Sequence, residues 1–579
     1  MKAKKAAASP PRDLDLVVEK DVRIPMRDGA FLYADVFRPS NEIEGGEETF
    51  PAIMNISVYQ KDKLWVPPAD LEEGPNPYMN WETANPLWWC PRGYALVRVD
   101  ARGSGKSPGQ SEPSSYQEAL DFYDAIEWIA KRPWCSGKIG TLGISYHASS
   151  QWRVAGLQPP SLRAIFPWEG RADQYRDQAY HGGIFAIGFL STWHTTQTAN
   201  HLLGRPRATN PDAFHNDLLW QYMRNDLDSE YWRQSSAHWD RITVPVYSAG
   251  NWGGYAMHLR GNTEAFVCAA SKHKKLRIHV GTHFHPFHSE EGRMDQLRWF
   301  DHWLKDIDTG IMDEPPVKLA IRTGGGAFRW RHESEWPIAR TRWTKLYLSP
   351  EREPSSDPTA IEGRLVNTPP RDASSLSYPA SGATKAGVTS ASALALAHGP
   401  TGRTGVSFAT DPLPEDTEIT GPIVLVVWVS STSEDMDILV TLRNIGSDGK
   451  DIFEIGQHGQ PVPLTMGWLR AAHRKLDPLR SLPYRPYHAH DERLWLKPDE
   501  PVECQVEIWP TSIVLAKGHR LRVDIQPRDG LNAAPYTHYH ADYNAGAGNT
   551  IYAGGDMPSY LLLPLIPPRA DSGFGHHAF

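Results

Sequence analysis

One run of the chain constrains its fold more than any other: strand, tight turn and helix over residues 138–157, with a serine on the turn. Lys138-Ile-Gly-Thr-Leu-Gly-Ile144 reads as a short buried strand, and Tyr146 to Leu157 places Ala148, Trp152 and Ala155 at helical spacing. A serine held on such a turn is a nucleophile elbow. The turn is strained, so small residues must flank it, and Gly143 and Ala148 supply the room. The helix that starts beside Ser145 aims N–H groups and a partial positive charge at any oxyanion formed there. His147 stands where the common Gly-x-Ser-x-Gly pattern has its second glycine, so the competing reading is a serine in an ordinary turn.

The flanking sequence repeats the strand-helix alternation. Val22–Ile24 and Ala30–Phe37 form a hairpin pattern around Met26-Arg-Asp-Gly29. Pro51–Tyr59 and Gly93–Asp100 are continuous apolar strands, the kind buried on both faces of a parallel sheet. Ser115–Trp134 reads as a helix with Ala119, Phe122, Ala125, Ile126 and Ile129 on one stripe. Strands over Leu162–Trp168, Thr243–Gly250 and Lys275–Gly281 alternate with helices over Gly261–Ala270 and Met294–Lys305. The pattern predicts an α/β core, spanning 14–170 and 242–340, with a mostly parallel sheet covered on both faces. Residues 171–241 interrupt it with helix formers and aromatics, and an insertion there, near the active ends of the strands, is expected to form a helical cap. Residues 350–400 read as long loops. Short strands over Gly405–Phe408, Ile423–Ser430, Asp437–Leu442, Val502–Ile508 and His519–Ile525 then predict an all-β sandwich within 341–579. Residues 1–13 are expected to be a disordered tail.

Composition excludes several classes. The net charge is −8 with a pI near 6.3, and charges of both signs are interspersed, so no basic face for nucleic acid is implied. No run of about twenty apolar residues exists, which speaks against a membrane span. Four scattered cysteines without a Cys-x-x-Cys pair, and an N-terminus without an apolar signal region, give the expectation of a reducing, cytoplasmic compartment. The 22 Trp and 22 Tyr suit large cores first and apolar substrate pockets second. The sequence leaves room for a homo-oligomer without specifying one.

A nucleophilic serine needs a base, a group that orients the base, and an oxyanion hole. Ile278-His-Val-Gly-Thr-His-Phe-His-Pro-Phe-His288 ends the last core strand and carries four histidines. No Cys or carboxylate motif accompanies them, so a general base is preferred there over a metal site, and no cofactor is expected.

These residues resemble the cocaine esterase / X-Pro dipeptidyl-peptidase-like serine hydrolases. The resemblance rests on Met26-Arg-Asp-Gly29 with Asp35-Val-Phe-Arg-Pro39, Tyr59 at a strand end, and Asp100-Ala-Arg-Gly103 with Gly105 and Ser107. It continues through Trp134-Cys135, Gly143-Ile-Ser-Tyr146 with Gln151-Trp152, Phe408 to Pro412, Gly421-Pro422 and Gly518-His-Arg-Leu-Arg522. It implies an α/β-hydrolase core, a helical cap and a C-terminal jelly-roll domain. It implies Ser145 as nucleophile, with the Tyr59 hydroxyl and the Tyr146 backbone N–H as oxyanion donors. Two positions depart from the family. Gly250-Asn-Trp-Gly-Gly254 puts Gly253 where the triad Asp usually stands. The family's usual base pattern selects His285, whereas a subgroup with the same Gly-Asn-Trp-Gly-Gly run aligns its base to His283, which is preferred. For the missing acid, Glu169 at the end of the preceding strand is the first choice and Asp173 the second. The competing reading of Glu169 is an ion pair with Arg171 or Arg176.

The resulting expectation is a serine hydrolase that cleaves carboxylic ester or amide bonds of small apolar or aromatic acyl substrates through an acyl-enzyme. The alternatives are an X-Pro dipeptidyl aminopeptidase and an inactive binding protein of the same fold.

Overall fold

The computed structural model describes residues 6–40, 42–43, 46–69, 71–199, 218–351, 361–380, 405–529, 537–538 and 546–568. They fall into two compact units, the first from Met1–Asp177, Ser191–Arg224 and Glu230–Lys318, the second from Gln178–Leu190, Asn225–Ser229 and Leu319–Phe579.

In the first unit eight strands form one sheet: β1 (Leu16–Pro25), β2 (Phe31–Pro39), β3 (Phe50–Ser57), β4 (Ala95–Asp100), β5 (Cys135–Ile144), β6 (Leu162–Trp168), β7 (Val246–Asn251) and β8 (Lys274–His279). Their spatial order is 1-2-4-3-5-6-7-8. β1 and β2 are antiparallel, as is β2 against β4, and every later pairing is parallel. The parallel strands are apolar throughout because helices cover the sheet on both sides. The helices are α1 (Tyr116–Ile129), α2 (Tyr146–Gly156), α3 (Leu259–Cys268) and α4 (Glu290–Leu304). α1 starts where Ser115 accepts the Glu118 N–H, and α4 where Ser289 accepts the Gly292 N–H, each satisfying an otherwise unpaired donor of the first turn. The expected stripe of α1 is its buried face. One aromatic core fills the layer beneath α4, where Phe166 stacks on Tyr247 at 4.3 Å and both meet Trp299.

Three expectations change. Residues 6–13 are not a loose tail: Ala6 N–H donates to Asp308, Ser9 caps Asp301 with N–H and hydroxyl, and Arg12 pairs with Glu48. Residues 1–5 lie outside the described residues. The segment 171–241 is divided between the units, and its described part holds the helices Ile187–Trp193, Leu218–Arg224 and Glu230–Arg233. Residues 200–217 lie outside the described residues. Within the expected loop 350–400 stand two strands, Ile361–Val366 and Ser374–Pro379. Their polar composition hides them, yet Leu376 and Tyr378 alternate inward by the two-residue period of a strand.

The second unit is built of strands that pair almost wholly antiparallel. Thr417–Ser431 pairs with Val502–Leu515 and Tyr560–Leu565, and Asp437–Ile445 with Thr465–Arg470 and Arg520–Gln526. Arg342–Ser349 and Ile361–Val366 connect Tyr560–Leu565 to Val406–Ala409, Val406–Ala409 pairs with Arg520–Gln526, and Thr465–Arg470 meets Val502–Leu515 at Gly467 and Ile508, so the pairings close on themselves. The enclosed core includes Phe408, Leu425, Val440, Val506, Ile525 and Leu561.

No helix among the described residues is long and apolar enough to cross a membrane. The four cysteines are free.

Candidate active site

Ser145 caps α2 with φ 55° and ψ −109°, a conformation no regular element uses, and its N–H donates to Trp168 O at 2.9 Å across the β5–β6 pair. Gly143 makes the turn feasible: its φ is 156°, and a Cβ there would lie 2.4 Å from His147 Cβ. The bulkier His147 is therefore accommodated by glycine two residues before the serine. Its buried ring stays neutral, because burial first, and the Arg98 charge second, push its pKa down to about 3.

Two further residues beside the elbow adopt left-handed backbone, Glu169 (φ 49°) at the end of β6 and Glu82 (φ 61°) in the loop after β3. Such conformations in non-glycine residues cluster at functional sites. Glu82 O accepts the Ile144 N–H at 3.1 Å, which ties that loop to the elbow.

Glu169 is fully buried, and among the described residues no arginine pairs with it. Its Oε2 lies 2.7 Å from His283 Nδ1, and its Oε1 accepts from His279 Nε2 at 3.0 Å and Asn251 Nδ2 at 3.2 Å. Burial alone would raise its pKa, but the His283 charge and the His279 and His283 hydrogen bonds outweigh burial and hold it far below the usual carboxylate range. Of the two arginines considered as partners, Arg171 bonds Gln174 and Ser114, and Arg176 pairs with Asp173. Asp173, the second-choice acid, accepts from the Tyr175 and Arg176 N–H groups and the Arg176 guanidinium.

The histidines sort themselves differently from expectation. His285, the alternative base, is exposed at the start of the short helix His285–His288. His283 meets Glu169 but does not present its other nitrogen to Ser145: Nε2 faces Glu82 Oε1 at 3.1 Å. Burial opposes its charge, yet the two carboxylates prevail and raise its pKa to about 10, so it is an imidazolium at neutral pH. The imidazole beside Ser145 is His258, with Nε2 3.2 Å from Ser145 Oγ. Its ring stacks on His283 at 5.4 Å with 14° between planes. His258 lies at the N-terminus of α3, in the segment after β7 where the family's acid normally stands. Sequence spacing in that segment did not single it out. Glu82 had no signal either, because its loop carries no motif.

Tyr59, just past β3, is buried, and Trp193 Nε1 donates to its hydroxyl at 2.9 Å. Burial pushes the phenol well above its ordinary pKa, Glu82 adds to this, and hydrogen bonding to Trp193 and Ser145 only partly counters it. The phenol therefore keeps its proton. Tyr146 opens α2, so its N–H has no partner within the helix. Its side chain is anchored away from the nucleophile, with the hydroxyl donating to Glu118 at 2.5 Å and accepting the Ser114 N–H.

Glu169, His258 and His283 bring ligand-type atoms within 4.8 Å of one another and are the residues here that could hold a metal ion. The Glu169–His283 hydrogen bond and the His283–Glu82 contact occupy two of those groups with each other.

The family model for X-Pro dipeptidyl-peptidase (S15 family) matches residues 28–285, and that for the X-Pro dipeptidyl-peptidase C-terminal non-catalytic domain matches 309–562. A crystal structure of a CocE/NonD family hydrolase from Staphylococcus aureus superposes with a TM-score of 0.83 at 29% identity, covering 98% of this chain and 97% of that one. The cocaine esterase of Rhodococcus is 24% identical over 627 residues, covering 95% of this chain and 98% of its own. The Xaa-Pro dipeptidyl-peptidase of Streptococcus sanguinis is 25% identical over 225 residues, 33% of this chain and 29% of that one. With an α/β-hydrolase unit, a C-terminal β domain and family models that together span most of its length, the chain belongs to the cocaine esterase / X-Pro dipeptidyl-peptidase-like family of serine hydrolases.

Proposed function

We propose that the protein is an esterase, cleaving carboxylic esters of small apolar or aromatic acyl groups through an acyl-enzyme on Ser145. The observation that carries this reading is the strained Ser145 with an imidazole 3.2 Å from its hydroxyl oxygen. Ser145 Oγ attacks the ester carbonyl while His258 Nε2 takes its proton. The tetrahedral oxyanion accepts hydrogen bonds from the Tyr59 hydroxyl and the Tyr146 N–H. His258 returns the proton to the departing alkoxide, and water, deprotonated by His258, then releases the acid.

His283, which its position past β8 marks as the base, is assigned a different part. An imidazolium whose two nitrogens both face carboxylates has no lone pair to offer. Its charge balances that of Glu169, and its stacked ring holds His258 beside Ser145.

An apolar acyl or aryl preference is supported by the rings beside the site: Phe284 next to His283 at 5.2 Å, Trp81 against Phe284 at 4.8 Å and Trp65 against Phe284 at 4.7 Å. We assign Tyr175, Tyr222 and Trp232, which pack on one another, to a cap over the pocket, and the closed ring of strands in the second unit to the jelly roll. The test is kcat/KM for a phenyl ester, a dicarboxylate monoester and an Xaa-Pro anilide. The phenyl ester is expected to lead. A higher value for the anilide would replace the esterase reading with a peptidase, and equal values for the two esters would remove the apolar pocket.

A further inference from the structure

We infer that Trp193 is the positioning residue of the oxyanion hole, aiming the proton of Tyr59 and holding Tyr146 in place. The inference rests on the reading of Tyr59 and Tyr146 as oxyanion donors. A phenol carries one proton and accepts through its lone pairs, whereas an indole N–H only donates. With Trp193 Nε1 2.9 Å from the Tyr59 hydroxyl, that oxygen must be the acceptor of the pair. Its own proton is thereby turned away from the indole. Donation into the phenol oxygen also polarises the remaining O–H and makes it the better donor. Tyr59 and Trp193 are 5% and 6% exposed, so the bond lies in a largely buried setting.

The same indole holds the second donor residue. Its ring stacks on Tyr146 at 6.0 Å with 19° between planes, and meets Tyr59 edge-on at 6.5 Å. Tyr146 is fixed on its far end by Glu118 and the Ser114 N–H, so the stack closes the remaining freedom of that ring. Trp193 ends the α-helix Ile187–Trp193, where the backbone passes into a π-helical turn over His194–Ala199. Turns of that kind recur at functional sites, where they re-aim a side chain. The insertion between β6 and β7 thus contributes a residue to the chemistry through Tyr59.

The test is a double-mutant cycle on one ester with wild type, Trp193→Phe, Tyr59→Phe and the double variant. Phe keeps a ring on Tyr146 and removes the N–H. Trp193→Phe is expected to lower kcat about tenfold, the size of one neutral hydrogen bond, with KM nearly unchanged. In the Tyr59→Phe background the same change should leave kcat unaltered, because the bond is already gone. Replacing Trp193 by 3-benzothienylalanine, which has the shape of tryptophan without the N–H, should reproduce the loss even if Phe loosens the packing. A benzothienyl variant with wild-type kcat, or an equal loss in both backgrounds, overturns the inference. A silent Tyr59→Phe would instead overturn the reading of Tyr59 itself.

Discussion

His258 and His283 stack on each other yet are expected to act differently, because the side chains they meet at the site differ. His258 faces a neutral hydroxyl at Ser145, whereas His283 is clamped between Glu169 and Glu82. General-base catalysis contributes about 10²–10⁴-fold, so His258→Ala should lower kcat by about a thousandfold in steady-state assays. His283→Ala should also be severely damaging, through the charge it leaves uncompensated between two buried carboxylates, and His285→Ala should be nearly silent. The pH dependence separates the two histidines. The folded pKa of His283 is raised to about 10, so its stabilisation is full below the ordinary histidine value of about 6.5 and is lost as pH rises through about 10. Glu169 is lowered, so its contribution disappears only in acid. Melting temperature should therefore fall between about pH 7 and pH 10, and Glu169→Gln should flatten that alkaline decline. An unchanged alkaline profile in Glu169→Gln would contradict the clamp. The contact between Glu169 and His283 was readable from the missing Asp and the strand-end position. The partner of Ser145 was not, because loop geometry after β7, rather than sequence spacing, decides which imidazole reaches the nucleophile.

At the scale of elements, the elbow is the most demanding piece of local structure. Strand β5 ends in a glycine at φ 156° so that the backbone can turn onto α2 against His147. Gly143→Ala would drive a Cβ to within 2.4 Å of His147 Cβ. Backbone strain of this kind costs about 1–3 kcal/mol. Kinetics and thermal melts together should show kcat falling by more than the loss of stability accounts for, since the turn that aims Oγ is displaced. A variant with normal kcat would show that the elbow tolerates a Cβ. The core strands and the four helices flanking them were legible because buried parallel strands are continuously apolar and amphipathic helices keep a stripe. Ile361–Val366 and Ser374–Pro379 were not, since only alternate positions of these polar strands are buried. Ser374–Pro379 moreover pairs with Gly548–Ala553, far along the chain.

Over the whole molecule, the two units have their own cores, one aromatic-rich around Phe166, Trp299 and Phe300, the other aliphatic around Leu425, Val506 and Ile525. Neither uses a disulfide: Cys90, Cys135 and Cys504 are buried free thiols, with burial pushing each above its ordinary pKa. A reductant should leave both the melting temperature and the turnover unchanged. A drop in either would reveal a covalent constraint that these thiols do not provide. The most direct measurement of the central claim is intact-mass analysis after reaction with a fluorophosphonate, followed by peptide mapping. One adduct per chain on Ser145 is predicted, absent in Ser145→Ala and greatly slowed in His258→Ala. An adduct on another residue, or labelling that persists in Ser145→Ala, would contradict the assignment of Ser145 as the nucleophile.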